Sequence, residues 1–375
     1  MTVYYFLIMI SAFIYMTKPK CFDCYICMNN VFRYGKKGKP EKYKIRLTSK
    51  FFVVIFLAAV IFFVMAFRDF SVGADTSRYV MIFNEHLYGE GKNALTARTD
   101  WLYTYFNNFC SMFLSARLYV MLLSLIFVAS IVKLGITESD NPFLFLFFYI
   151  TIGTFSMNMS GIRQSLAMSL AIFAYYLAKK KRVVLFFIII GIAFLFHNSA
   201  IIFLIVYPVL ALNKNGNRNE IFFWTMAPVL GFLPFIPTIV IATVKSLNLY
   251  KFIPYLGATG INLKCFVFYY GLLCVITILN LLERKKIAQK DISLFKMSVL
   301  GCLCYGMAPN FYLFDRLALY FTPFMIAYYV NSLLKLKKNN LRKIAIMMCM
   351  MISVVWFVFS TINGSLSIDH YSFGL

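Results

Sequence analysis

The chain has 375 residues, of which 61% are hydrophobic and 14% charged, and its mean hydropathy is +0.77. This composition excludes an ordinary soluble protein, and it excludes an appended soluble catalytic domain because no polar stretch is long enough to enclose its own core. The formal charge of +23 arises from short basic clusters between apolar runs, so it indicates membrane topology and not nucleic acid as a partner.

Apolar runs near the length of a membrane crossing recur along the whole chain. About 20 helical residues are needed to cross roughly 30 Å of hydrocarbon. The candidate spans, several of them short, are 1–16, 51–67, 118–136, 142–157, 162–178, 183–196, 199–212, 221–244, 265–282, 292–308, 317–334 and 344–362. The pattern predicts an all-α, polytopic integral membrane bundle of about 12 spans, in one transmembrane domain covering residues 1–375.

The basic residues fall mainly in alternate loops. With the N-terminus outside, the loop 18–50, which carries ten basic residues, lies in the cytoplasm together with the clusters around Lys180, Lys285 and Lys337. Cytoplasmic loops of membrane proteins carry such an excess of Lys and Arg. The sequence therefore predicts that both termini lie outside.

The loop 18–50 also contains cysteines at regular spacing. Cys21, Cys24 and Cys27 match part of a zinc or iron–sulfur pattern, but no fourth ligand follows at a suitable distance. Thiols at the membrane interface are the alternative. We predict no metal site.

The largest predicted outer loop is 68–117. It brings Arg68, Asp75 and Arg78 together with Tyr79 beside a glycine that permits a tight turn. The aromatic run 101–106 is typical of an interfacial helix at the level of the lipid headgroups. Simple solvation is the alternative explanation for the charges of this loop.

Arg163 opens the predicted span 162–178 at its outer end. We expect Asn158 or Ser160 to cap this helix, whose free N–H groups and positive dipole end would join the guanidinium in an anion site. Small residues follow in the span and predict close packing against a neighbouring helix. An arginine that reaches anionic headgroups is the alternative.

His197 interrupts the apolar run 183–212, which is too long for one crossing and short for two. Two half-length helices meeting at His197 keep the later basic loops in the cytoplasm. Broken helices of this kind are tolerated where the freed backbone faces protein or a water-filled cavity. The near-neutral ordinary pKa of histidine suits proton transfer. A structural histidine in the core is the alternative.

Asp315 and Arg316 lie at the outer end of the predicted span 317–334. Tyr320 lies four residues after Arg316, on the same predicted helical face. A salt link between Asp315 and Arg316 is the alternative to a role in binding. Arginine grips phosphate through paired hydrogen bonds, and the outer face has too few carboxylates for a Mg²⁺ or Ca²⁺ site. The outer arginines therefore predict a diphosphate held directly.

These elements occur in a recognisable order. They are Arg68, Gly73-x-Asp75-x-x-x-Tyr79-x-x-x-Phe83, Gly161-x-Arg163-Gln164-x-Leu166-Ala167, Phe196-His197-x-Ser199-Ala200, and Asp315-Arg316 with Tyr320. In this order they resemble the EpsG family of bacterial exopolysaccharide proteins, which is similar to Wzy-type polymerases of O-antigen and capsular polysaccharide. The resemblance covers residue 51 to the C-terminus. It implies a glycosyltransferase-type polymerase in the bacterial cytoplasmic membrane. Such an enzyme joins polyprenyl-diphosphate-linked oligosaccharide repeat units on the outer face, with no metal and no cofactor.

The resemblance also implies roles for the candidate residues. Arg163 and Arg316, helped by Arg78, would hold the diphosphate, while His197 or Asp75 would accept the proton of the acceptor hydroxyl. The remaining candidates for substrate binding are Arg68, Tyr79, Gln164, Asp315 and Tyr320. The implied partners are the lipid-linked oligosaccharide, membrane lipid, a flippase and a chain-length regulator.

Two other functions fit the same sequence. The broken helix at His197 and the charged outer loop also suit a flippase or transporter of lipid-linked oligosaccharide. A ligase that transfers finished polymer to another acceptor would use the same arginine and histidine set.

Overall fold

The computed structural model of the chain describes residues 1–17, 23–34, 40–87, 101–211, 218–232, 263–283, 287–309, 313–363 and 367–374. For 23–34, 40–50, 101, 218–220, 223, 230–232 and 289 it describes the backbone alone. The predicted cysteine cluster in the loop 18–50 therefore lies outside the described side chains. The second half of the predicted span 221–244 also lies outside the described residues.

Most of the described chain is helical. The α-helices are α1 (Thr2–Thr17), α2 (Ser49–Ala66), α3 (Thr76–Leu87), α4 (Trp101–Ser111), α5 (Ala116–Glu138), α6 (Pro142–Thr151), α7 (Thr154–Ser160), α8 (Ile162–Lys179), α9 (Val183–Phe196), α10 (Val206–Ala211), α11 (Arg218–Met226), α12 (Leu263–Leu282), α13 (Gln289–Met307), α14 (Leu313–Ala318), α15 (Thr322–Leu334) and α16 (Asn339–Ile362). Two 3₁₀ helices span Asn198–Ile205 and Ala227–Phe232. An antiparallel hairpin of β1 (Asp23–Tyr34) and β2 (Pro40–Thr48) lies where the sequence predicted only a loop.

The helices support a membrane protein. Among the described residues, α5, α12 and α16 are each long and apolar enough to cross a membrane, and α6 with α7 passes the same test as a bent pair. Shorter apolar helices are α1, α9, residues 51–66 and residues 198–211. The predicted helical membrane fold is confirmed in this respect, whereas the count of about 12 spans is not.

Helix α15 lies at the centre of the bundle. Every residue from Thr322 to Leu333 is buried. A Cβ atom added at Gly301 of α13 would lie 2.5 Å from the Sδ atom of Met325, so the glycine allows α13 and α15 to approach closely. Because lipid tails are as apolar as leucine, such close packing holds helices together in a membrane.

Ion pairs cluster at one end of the bundle, which we call the ion-pair end. It consists of Glu138, Asp140, Lys179, Lys290, Asp291 and Lys335, with Asn331 among them. The Nζ atom of Lys179 lies 2.8 Å from Glu138, and Lys335 lies 3.2 Å from Asp140 and also pairs with Asp291. Asn331 donates 2.8 and 2.9 Å hydrogen bonds to the Glu138 carbonyl and to Asp291. These contacts join α5, α8, α13 and α15 at the loops that the sequence places in the cytoplasm.

Two helix breaks lie at the opposite end. Gly153 separates α6 from α7 with φ of +97°, and the two helices are bent by 60°. Glycine suits this left-handed backbone because it has no Cβ atom. Helix α9 ends at Phe196, and the 3₁₀ helix begins at Asn198 after an extended His197. The predicted break at His197 is confirmed.

Candidate functional site

A cavity of about 470 Å³ lies between the two helix breaks. Helix α8 begins at this cavity and, 18 residues later, ends at Lys179 of the ion-pair end. At 1.5 Å per residue, the two ends of α8 are about 27 Å apart. The cavity and the ion-pair end therefore lie on opposite sides of the bundle.

Six of the ten predicted site residues line this cavity, and they come from segments far apart in the sequence. They are Asp75, Tyr79, Gln164, His197, Asp315 and Arg316. The structure therefore brings both predicted proton acceptors and one predicted phosphate-binding arginine to one cavity. Arg68, Arg78, Arg163 and Tyr320 are not in the lining.

Asp75 reaches the wall because its loop lies against the end of α7. Gly73 has φ of +97°, and a Cβ atom there would lie 2.8 Å from the carbonyl oxygen of Met159. Thr76 Oγ1 donates a 3.0 Å hydrogen bond to the same carbonyl, and the Asp75 N–H donates one of 3.3 Å to Ser160 Oγ. A larger residue at Gly73 would push this loop, and Asp75 with it, away from α7.

Arg68 supports this loop from inside the protein. Its side chain is 1% exposed and donates hydrogen bonds to three backbone carbonyls, those of Met65, Val72 (3.3 Å) and Met159 (2.9 Å). Burial lowers the Arg68 pKa to about 10, which still leaves the guanidinium charged at neutral pH. The predicted substrate-binding role is therefore not supported by its position, because its donors are used to fix the loop.

Arg163 lies behind the cavity wall. Its Nε atom donates a 3.4 Å hydrogen bond to the Tyr79 hydroxyl, and its guanidinium lies 5.6 Å from the Tyr79 ring centroid and 5.5 Å from that of Tyr103. Cation–π contacts of this kind hold a guanidinium in place while it keeps its charge. Tyr79, which does line the cavity, links Arg163 to it.

The N-terminus of α8 also lies at the cavity. Its N-cap is Gly161, which provides no side-chain cap, so the prediction that Asn158 or Ser160 caps this helix was wrong. Asn158 is turned inward, where its amide donates to the Thr154 carbonyl and its Oδ1 accepts a 2.9 Å bond from Ser165. The first N–H groups of α8 therefore have no side-chain acceptor from the cap, and the positive dipole end lies beside Gly161 and Gln164.

Gln164 connects α8 to the segment that carries Asp315 and Arg316. Its Nε2 donates a 2.6 Å hydrogen bond to the Arg316 carbonyl. Asp315 lies in α14, a six-residue helix between the longer α13 and α15 and outside the spanning helices. Burial raises the pKa of Asp315 from 3.8 to about 6, while the Arg316 charge opposes this rise. Asp315 thus lines the cavity with a pKa only slightly below neutral pH.

Tyr320 and Arg78 occupy other places. The Tyr320 hydroxyl lies 3.0 Å from Ser199 Oγ, so it ties the segment after α14 to the 3₁₀ helix that follows His197. Arg78 is an exposed residue of α3. Neither position supports direct contact with a ligand in the cavity.

The C-terminal segment 367–374 completes the rim. The Gly73 N–H donates to the Ser367 carbonyl, the Asp69 N–H to that of Ser372, each at 2.9 Å, and the terminal ammonium of Met1 donates to the Asp369 carbonyl at 3.2 Å. Ile368, which is buried, lines the cavity. Both ends of the chain therefore meet at the cavity end of the bundle.

Sequence reasoning missed several residues that line the cavity. They are Tyr269 of α12, Tyr305 of α13 and Trp356 of α16, with the hydroxyl residues Ser156, Ser360 and Thr361. Aromatic residues make up 19% of the chain, so no single ring is distinctive in the sequence.

The comparisons with known proteins give one match. The family model described as the EpsG family matches residues 51–373, which include every element that lines the cavity. No curated protein and no solved structure matches the chain.

Proposed function

The chain belongs to the EpsG family, and we propose that it is a polysaccharide polymerase of the bacterial cytoplasmic membrane. It joins oligosaccharide repeat units carried on polyprenyl diphosphate, for exopolysaccharide, capsule or O-antigen synthesis. Membership of the family supports a role in polysaccharide formation. The cavity supports the reaction, because it gathers an arginine, two carboxylates and a histidine from segments separated by up to 241 positions, between Asp75 and Arg316.

The cavity opens on the outer side of the membrane in this proposal. Lysines concentrate at the ion-pair end. In membrane proteins, loops rich in Lys and Arg usually lie in the cytoplasm. The cavity and both chain termini lie at the other end. We propose about 12 crossings, counting short and broken helices, with the N-terminus and the C-terminus outside; the position of both termini at one end supports an even number.

The diphosphate of the donor lipid binds next to Arg316 and the start of α8. Arg316 lines the cavity, and the α8 N-terminus adds backbone N–H groups and a positive dipole end. Arg163 adds positive charge from behind Tyr79. Preorganised donors of this kind stabilise the charge that develops on the diphosphate as the sugar leaves.

Transfer breaks one bond and forms one. The acceptor hydroxyl oxygen bonds to the anomeric carbon of the donor sugar, while the bond from that carbon to the diphosphate oxygen breaks and its electron pair leaves with the diphosphate. The hydroxyl proton passes to a general base, for which His197 is our first choice and Asp75 our second, because both line the cavity. The sugar–diphosphate bond supplies the driving force, so no cofactor takes part.

A lysine substitution at Arg316 tests this function in cells. Arg316→Lys keeps the charge but loses the forked donor arrangement that matches a phosphate. We expect polymer formation to fall by about 100-fold, the magnitude for loss of one charge-stabilising donor, with single repeat units left on lipid. Polysaccharide of normal chain length in this variant would contradict the proposal.

A transporter or flippase is the second candidate, and the two helix breaks at Gly153 and His197 favour it. The contacts of the ion-pair end close the bundle opposite the cavity, as they would in an outward-open transporter, so chain elongation is the measurement that separates the two functions. A ligase would use the same cavity, and the length of its product separates it from a polymerase.

A further inference from the structure

The side of the cavity that the proposed mechanism does not use is built from three aromatic rings, which we call the aromatic wall: Tyr269, Tyr305 and Trp356. Tyr269 stacks on Tyr305 with centroids 4.2 Å apart and an interplanar angle of 5°. Trp356 lies edge-to-face with Tyr269 at 6.3 Å. The three rings come from α12, α13 and α16 and support one another as one surface.

The rings of the wall are held in place by neighbouring groups. The Tyr269 hydroxyl donates a 2.6 Å hydrogen bond to the Ile152 carbonyl, and the Tyr305 hydroxyl lies 3.1 Å from Thr322 Oγ1. Phe268 stacks on one face of the Trp356 indole at 4.2 Å and 7°. The three rings therefore have fixed orientations where they line the cavity, with Tyr269 and Tyr305 only 4% and 2% exposed.

Gly153 keeps the space beside the wall open. A Cβ atom added there would already lie 3.8 Å from Trp356 Nε1 and 3.9 Å from the Tyr269 hydroxyl, at ordinary contact distance. Any side chain longer than alanine would fill the space in front of these rings. The helix break at Gly153 thus also provides room for a ligand.

Two hydroxyl groups beside the wall are prepared for a polar ligand. Ser156 and Thr361 line the cavity and are 2% and 4% exposed, and their side-chain oxygens have no hydrogen-bond partner among the residues that the structure describes. A buried hydroxyl without a partner is unfavourable because it has given up its hydrogen bonds to water. Rotation of each side chain toward the cavity would let a ligand rich in hydroxyl groups satisfy it, because each ligand hydroxyl can donate and accept.

Asp315 adds a charged acceptor to this side. Asp315 lines the cavity together with Tyr269, Tyr305 and Cys265. A pyranose ring has an apolar face of C–H groups and an edge of hydroxyls, and the wall offers apolar rings beside two hydroxyls and a carboxylate. An isoprenoid chain would match the rings but would leave the buried hydroxyls unsatisfied.

We propose that the aromatic wall, with Ser156, Thr361 and Asp315, is a sugar subsite that binds a pyranose ring of the lipid-linked oligosaccharide. This inference rests on the proposed function and adds the part of the substrate that the arginines do not hold. The subsite places the sugar on the α12–α13–α16 side of the cavity. The diphosphate then lies on the side of α8 and Arg316.

Binding of two lipids by the full-length protein in nanodiscs tests the subsite. The probes are a bare polyprenyl diphosphate and the same lipid carrying one oligosaccharide repeat unit. The wild-type protein should bind the sugar-carrying lipid about tenfold more tightly, the scale of an aromatic contact of roughly 1.4 kcal/mol. Trp356→Ala and Thr361→Val should each reduce this ratio, with Trp356→Ala bringing it close to one.

Matched variants separate the subsite from a general loss of folding. Trp356→Phe retains an aromatic ring and should keep most of the preference. Val355→Ala, on the same helix and 68% exposed, should keep all of it. Binding of the bare lipid should stay unchanged in all four variants.

Each other outcome has a definite meaning. Equal affinity of the wild type for both lipids would overturn the sugar subsite while leaving diphosphate binding intact. An equal loss of affinity for both lipids in Trp356→Ala would mean that the wall binds the isoprenoid chain. This outcome also overturns the inference. Failure of the wild type to bind either lipid would overturn the proposed function itself.

Discussion

Gln164 donates a 2.6 Å hydrogen bond from its side-chain amide to the backbone carbonyl of Arg316, across 152 residues of sequence. The bond fixes the backbone of Arg316 relative to the start of α8. The proposed diphosphate site depends on this relation, because one half of the site is the Arg316 side chain and the other half is the α8 N-terminus.

Removal of the Gln164 donor should weaken polymerisation. Gln164→Met has a similar shape but leaves the Arg316 carbonyl without this bond, which costs about 1–3 kcal/mol when the group is buried. We expect shorter polysaccharide and a roughly tenfold increase in single lipid-linked repeat units, measured by gel electrophoresis and lipid extraction. Leu170→Met, on the same helix but away from the cavity, serves as control, and equal behaviour of both variants would contradict the role of the bond.

Loss of the Arg68 side chain should act on stability. Arg68→Met removes a charged group that donates to three buried carbonyls, and we expect a loss of roughly 3 kcal/mol in unfolding free energy. The check is the thermal unfolding midpoint of the purified protein. Arg78→Met, at an exposed position of α3, should change stability by less than about 0.5 kcal/mol. A normal midpoint for Arg68→Met, with activity lost, would instead return Arg68 to substrate binding.

The raised pKa of Asp315 predicts a pH-dependent stability. Burial of the carboxylate raises the folded-state pKa from 3.8 to about 6, so the folded protein binds a proton more readily than the unfolded chain. This contribution is fully present below pH 3.8 and is lost as the pH rises through about 6. Asp315→Asn should therefore be more stable than the wild type near pH 7.5, and the difference should shrink below about pH 6.

Asp69 provides a control of opposite sign. Hydrogen bonds from Ser71, first from its hydroxyl and then from its N–H, hold the pKa of Asp69 below its ordinary value. Its contribution is present above the ordinary pKa of 3.8 and is lost as the pH falls through the lower folded-state value. Asp69→Asn should therefore lose stability at neutral pH. Unfolding midpoints that shift equally with pH in the wild type and in Asp315→Asn would contradict the assignment for Asp315.

Labelling of an introduced cysteine permits a test of the side on which the cavity opens. Ala74 lines the cavity and is exposed, whereas Cys302 is fully buried. In a variant without the nine cysteines that carries Ala74→Cys, a membrane-impermeant maleimide added to intact spheroplasts should label the protein. This exposed position is preferable to the half-buried native Cys265, whose thiol would react poorly. A variant that keeps Cys302 alone should remain unlabelled. Labelling at position 74 only after the cytoplasmic side is exposed would place the cavity on the cytoplasmic face.

The sequence contains enough information for much of the helical fold. Apolar runs predict helices because each must match the membrane, and the polar residues His197 and Asn198 mark a break because an apolar helix does not tolerate them without a cavity. Asp75, Gln164 and Arg316 were predicted as candidates from the sequence, and all three line the cavity. Ionisable and amide groups at the ends of apolar helices are costly unless they have a partner or a function.

Other features depend on tertiary contacts that the local sequence does not carry. Asn158 was expected to cap α8, yet its side chain bonds to Thr154 and Ser165, which become its neighbours only after α7 and α8 fold against each other. Arg68 was expected to bind substrate, but its acceptor at Met159 lies 91 residues away. The ring of Trp356 is one among many aromatic residues, and only its packing against Phe268 and Tyr269 brings it to the cavity.

Elongation by the purified protein tests the central claim most directly. Proteoliposomes contain the wild-type protein and polyprenyl-diphosphate-linked repeat units as the only substrate, and the chain length of the lipid-linked products is followed by gel electrophoresis. We predict a ladder of longer chains with release of free polyprenyl diphosphate, and its loss in Arg316→Lys. Movement of repeat units between leaflets without elongation, or an unchanged ladder in Arg316→Lys, would contradict the account.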